Sequence, residues 1–117
     1  MRYLVEFYVR ENGKMPVDEF LRSLTLKQRE KIARAIDLLC KYGSELHFPD
    51  VDMISGKKYQ GLWELRIEFA SDSFRIFYYV TIKKTAILLH GIVKKQQKTP
   101  LRDLETALNR MKDHIRR

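Results

Sequence analysis

One cysteine, one tryptophan and three prolines are all that 117 residues carry of those types. The lone thiol, Cys40, excludes an intramolecular disulfide framework and suits a reducing compartment. The five glycines and three prolines never cluster into a linker. No apolar run approaches the ~20 residues of a membrane span. Glu6 falls where a signal peptide would keep its apolar stretch. His47, His90 and His114 show no metal-ligand spacing, and one cysteine cannot complete a zinc site. There is no Gly-rich phosphate loop, and Ser44, Ser55 and Ser71 have no nucleophile-elbow context. With 44% hydrophobic and 32% charged residues, the expectation is one soluble domain, residues 1–117, in the cytoplasm.

The net charge of +8 is unevenly placed. Residues 1–56 carry nine Lys/Arg and nine Asp/Glu, whereas residues 57–117 carry fourteen and six, and so hold all of it. Lys94, Lys95, Lys98 and Arg102 form the densest stretch, with no acid among them. Such a field suits a polyanion, nucleic acid above all, or an acidic protein; it also serves plain solubility.

Hydrophobic patterning gives the element order β-α-α-β-β-β-α. Tyr3–Val9 reads as a strand and Glu11–Lys14 as a turn. Pro16 opens a short helix with Val17, Phe20, Leu21 and Leu24 at helical spacing. Thr25 and Gln28 have capping-box form ahead of Ile32, Ala35, Ile36 and Leu39, and Gly43 offers a stop. Residues 44–56 read as loop with one short edge strand. Alternation then predicts strands over Leu62–Phe69, Phe74–Ile82 and Ala86–Val93. Thr99 as N-cap and Pro100 at the first helical position open a last helix. Leu101, Leu104, Leu108, Met111 and Ile115 form its apolar stripe. The fold class is α+β, a small and mostly antiparallel sheet with a helical hairpin, a closing helix, and helices mostly on one face.

A four-residue turn at Ala70–Ser73 pairs Phe69 with Phe74 and so places Glu68 opposite Arg75 and Arg66 opposite Phe77. Trp63, Leu65, Ile67, Phe74, Ile76 and Tyr78 then form the core face. The other face displays Arg66 and Arg75 as diagonal neighbours, with Glu64, Glu68, Phe77 and Tyr79. Arginine forks bind phosphate, and Phe77 and Tyr79 offer stacking surfaces to unpaired bases. Lys94 and Lys95 reach one rim of this face, and Lys57 and Lys58 the other. Ordinary cross-strand ion pairing and aromatic packing account for the same residues without RNA. His90, beside Leu88, Leu89 and Ile92, reads as a partly buried hydrogen-bonded histidine rather than a catalyst.

Three blocks resemble a known family: Trp63-Glu64-Leu65-Arg66, Phe74-Arg75-Ile76-Phe77-Tyr78, and the stretch Leu88 to Pro100 with the form Leu-Leu-His-x-x-x-Lys-Lys-x-x-Lys-Thr-Pro. Together they resemble the HigB branch of the RelE-like toxins, phage-derived versions included, in that family's element order. The resemblance implies the toxin of a type II toxin–antitoxin pair, a ribosome-dependent mRNA endonuclease that needs neither metal nor cofactor. The RNA's own 2′-hydroxyl attacks the adjacent phosphate at the A site. The implied partners are a helix-turn-helix, HigA-like antitoxin, the ribosome and mRNA. Operator DNA is reached only through the antitoxin. By position, Arg66, Arg75, Lys95 and Lys98 would be catalytic, with Lys57, Lys58, Phe77, Tyr79 and Lys94 on RNA. The arginines would stabilise transition-state charge and Lys95 or Lys98 would move protons. Glu64 is a further candidate for base, or simply a partner of Arg66. Met15 to Tyr42 would be scaffold and antitoxin surface. A non-catalytic RNA- or ribosome-binding module, or an antitoxin-docking part, would use the same basic face.

Overall fold

The computed structural model describes residues 2–117. Strand β1 (Leu4–Phe7) is followed by α1 (Pro16–Arg22) and α2 (Leu26–Tyr42). Then come β2 (Val51–Met53), β3 (Trp63–Phe69), β4 (Asp72–Val80), β5 (Thr85–Lys94) and α3 (Leu101–Arg116). The five strands make one sheet in the order β1-β5-β4-β3-β2. Only β1 and β5 run parallel; the other pairs are antiparallel.

Local chemistry explains the helix bounds. Pro16 starts α1, where its missing N–H costs nothing. The Thr25 hydroxyl accepts from the Gln28 amide while the Gln28 side chain accepts from the Thr25 amide, a complete capping box. Gly43 ends α2 at φ 54°. At α3 the cap differs from expectation. Pro100 is the N-cap, and no side chain bonds the free amides, so Thr99 does not act as cap.

The sheet is covered on both faces, which corrects the expectation of helices mostly on one. Val17, Ile32 and Leu39 of α1 and α2 pack on Leu65, Ile67, Phe74, Ile76, Tyr78 and Leu88. Ala107, Leu108 and Met111 of α3 pack on Leu62, Phe77, Tyr79, Ile87 and Leu89 of the opposite face. Burying each of these large side chains contributes ~1.5–3 kcal/mol, so both faces hold real cores. The apolar stripe of α3 is narrower than its spacing suggests, because Leu101 and Ile115 are exposed. Ile82 lies beyond β4 and is exposed as well.

Two backbone devices set the register. The β3–β4 hairpin turns on two residues, Ala70 and Ser71, with Phe69 opposite Asp72. Ala70 takes φ 55°, the positive value that a type II′ turn asks of its first central residue. Arg66 therefore stands directly opposite Arg75, and Glu64 opposite Phe77, not offset as a four-residue turn would have them. The shift is two residues, so every side chain keeps its face. Between β4 and β5 a bulge inserts Leu89: Phe77 pairs with His90 and Tyr78 with Leu88. Leu89 joins the α3 core while His90 still reaches Asp103 and Arg110 of α3.

Candidate functional site

Three rows of three residues cross β3, β4 and β5 on the α3 side of the sheet. They are Glu64–Phe77–His90, Arg66–Arg75–Ile92 and Glu68–Ser73–Lys94. Helix α3 starts over the first row, where Asp103 bonds His90, and runs away toward Tyr79, which meets His114. The arginine row and the Lys94 row thus lie past its N-terminal end.

Acids and cations alternate tightly here. Arg66 Nη1 donates to Glu64 Oε2 at 2.8 Å. Arg75 Nη1 donates to Glu68 Oε1 at 3.2 Å and to the Phe74 carbonyl at 2.9 Å. Arg75 Nε lies 3.9 Å from Glu64 Oε1 and is buried with no hydrogen-bond partner. Glu64 and Arg75 are both buried, Arg75 to 4% exposure, whereas Arg66 is partly open. Glu68 stands in solvent, and its carboxyl is held below the usual carboxylate range. The Ser73 hydroxyl that donates to it is the chief cause, and Arg75 the next. The Arg66 guanidinium also lies over the Phe48 ring, 5.0 Å from its centroid.

The stretch Leu88 to Pro100 supplies the β5 side of this ladder. Residues 19–112, most of the chain, match the family described as Phage derived protein Gp49-like (DUF891). The chain belongs to that family. That family is RelE- and toxin-like, which bears out the coarse part of the resemblance. No curated protein matches the chain.

In this Gp49-like chain the expected site residues fall into three groups. Arg66, Arg75 and Lys94 come together on adjacent strands, and Lys95 and Lys98 stand exposed in the loop that leaves Lys94. Among the described residues none of these three lysines takes part in an ion pair. Lys57 and Lys58 sit in a 3-10 turn against α3, and Lys58 Nζ is 2.9 Å from Glu105. They do not join the arginine row.

Phe77 and Tyr79 correct the expectation of exposed stacking aromatics. They are on the foreseen face, but α3 covers it, leaving Phe77 at 0% and Tyr79 at 8% exposure. Phe77 stacks instead on His90, with centroids 6.0 Å apart.

His90 behaves as a half-buried structural histidine. Arg110 Nη1 lies 3.2 Å from Nδ1, so Nδ1 accepts, and Nε2 donates to Asp103 at 2.8 Å. Burial lowers its pKa, against the opposing pull of Asp103. The ring is therefore neutral near pH 7, with both nitrogens engaged. Sequence reasoning missed Phe48, Asp103 and Arg110. Only Phe48 left a signal, as a lone large aromatic in a segment without periodicity. Among the described residues no three His, Cys, Asp or Glu side chains gather in a way that could hold a metal ion.

Proposed function

We propose that the protein is the toxin of a type II toxin–antitoxin pair, of the HigB branch, and cuts mRNA in the ribosomal A site. The observation that carries this is the arginine row: Arg66 directly opposite Arg75, with Lys94 one row away and the Lys95–Lys98 loop beside it. In this reading the 2′-hydroxyl attacks the neighbouring phosphorus and the P–O5′ bond breaks. A cyclic phosphate and a 5′-hydroxyl are left: the 2′-hydroxyl gives up its proton as it attacks, and the 5′-oxygen takes one up as it leaves. Arg66, the more open guanidinium, donates to the non-bridging oxygens as their charge grows. Arg75 stays protonated in its buried pairs and lends positive potential. Glu64 is the carboxylate nearest the row, but its bond to Arg66 favours a positioning role. Lys95 and Lys98 are free to reach the entering and leaving oxygens. The ribosome supplies the RNA geometry that such a small, mostly paired site does not impose. A helix-turn-helix, HigA-like antitoxin is the proposed partner, with operator DNA reached only through it.

One observation favours a second reading, a non-catalytic RNA- or ribosome-binding module. Both guanidinium groups are already engaged by carboxylates. Primer extension on a defined mRNA, with and without translating ribosomes, separates the two. New 5′ ends inside codons only with ribosomes support the nuclease. Salt-sensitive ribosome binding without new ends establishes the binding module. Cuts on free RNA keep the nuclease and remove the ribosome from its mechanism.

A further inference from the structure

A cleft lies where β2 stops short. That strand pairs with β3 only from Trp63 to Leu65, so the β3 edge from Arg66 onward has no strand beside it. The Arg66 amide donates across this edge to the Asp50 carbonyl at 2.9 Å. Alternation then points the amide and carbonyl of Glu68 to the same side, where no strand meets them. The cleft of about 390 Å³ between this edge and α2 is within the usual size range of small-ligand sites.

Its lining is divided by chemistry. Lys31 and Arg34, three apart on one face of α2, bring two cations, and Arg66 borders the cleft from the β3 edge with its guanidinium turned to the α3 side against Glu64. Among the described residues neither Lys31 nor Arg34 takes part in an ion pair. Leu38 and Pro49 form an apolar wall. Ala35 and Ile67 complete the apolar part of the lining. Asp50 and the Glu68 edge supply acceptors and one amide donor.

We propose that this cleft is a nucleotide subsite: Lys31 and Arg34 take a phosphate, and the apolar wall and β3 edge take its base. A bare anion would use the cations and leave the wall idle; a nucleotide uses both ends. Base stacking on apolar and guanidinium planes and hydrogen bonds to exposed main chain are how single-stranded RNA is read. The subsite rests on the proposed nuclease only in that Arg66 borders both. A strand cut at the arginine row would seat a neighbouring nucleotide here, which gives the site a role in choosing where the strand is cut.

The test is titration of the four nucleoside 5′-monophosphates, and of inorganic phosphate, followed by amide NMR shifts of the full chain. Shifts at Lys31, Arg34, Asp50, Arg66 and Glu68, larger for nucleotides than for phosphate and unequal among bases, are expected. The double variant Lys31→Ala/Arg34→Ala should weaken them about tenfold, and Leu38→Ala should narrow the differences between bases. Equal responses to phosphate and all nucleotides would reduce the cleft to an anion site and overturn the proposal. Shifts confined to Lys94–Lys98, or absent, would do the same. The readout needs no ribosome. If binding is found but primer extension shows no cleavage, the nuclease reading fails and the subsite stands. If the double variant cuts the same positions at the same rate and wild type binds no nucleotide, the subsite fails and the nuclease stands.

Discussion

Arg66 and Arg75 face each other across one row of the sheet, yet they are not equivalent. Arg66 is partly open and has one carboxylate partner, whereas Arg75 is buried among two carboxylates and a carbonyl. Under the proposed toxin function, Arg66→Ala should relieve growth arrest with little change in unfolding midpoint. Arg75→Ala should relieve it too but lower stability by about 1–3 kcal/mol, because it strips buried Glu64 of a neighbouring charge and empties a buried site. Urea denaturation of both variants distinguishes them. His90 gives a pH signature. Burial holds its folded pKa below the ordinary 6.5, so the neutral ring favours the fold. That stability is complete above the unfolded pKa of about 6.5 and is lost as pH falls from there toward the folded value. Unfolding of wild type and His90→Gln at pH 7.5 and pH 5.5 should show a smaller acid loss in the variant.

Among the elements, the capped helix and the hairpin show what a sequence discloses and what it hides. Thr25 and Gln28 announced the start of α2 because a capping box is local chemistry, read within four residues. Thr25→Ala should cost about 1 kcal/mol, measured as a shift in thermal midpoint. The faces of β3 and β4 were legible from alternation, but their pairing was not. Ala70 is not a residue that signals positive φ, so a two-residue turn left no mark, and Arg66 was matched with the wrong partner. The placement of α3 over Phe77 and Tyr79 was also hidden. A sheet with apolar residues on both faces calls for two covers, but spacing does not say which helix supplies which. Gly91 belongs to the Leu88 to Pro100 stretch, and its reason is packing. A Cβ there would sit 2.4 Å from the Phe20 ring of α1. Gly91→Ala should destabilise by about 1–3 kcal/mol, and adding Phe20→Leu should recover part of it, as read by urea midpoints.

For the molecule as a whole, the charge asymmetry seen in the sequence survives folding as a local one. The acids of α3 are drawn inward, Asp103 to His90, Glu105 to Tyr59 and Lys58, Asp113 to Tyr8 and Arg117. The cations of the Lys94–Lys98 loop stay outside. RNA association through Arg66, Lys94, Lys95 and Lys98 should fall with salt at a log–log slope of about −3, and each lysine removed should flatten it by about 0.7. Filter binding over a salt series checks both values. The parallel seam between β1 and β5 bears on the protein's own synthesis. Leu4 is matched to Thr85, so the first strand made has no neighbour until the last strand follows it off the ribosome. At ordinary elongation speeds that interval is on the order of 4–16 s. The arginine row needs β4 and β5 as its floor, so a nascent chain passes most of its own translation with the candidate site unassembled.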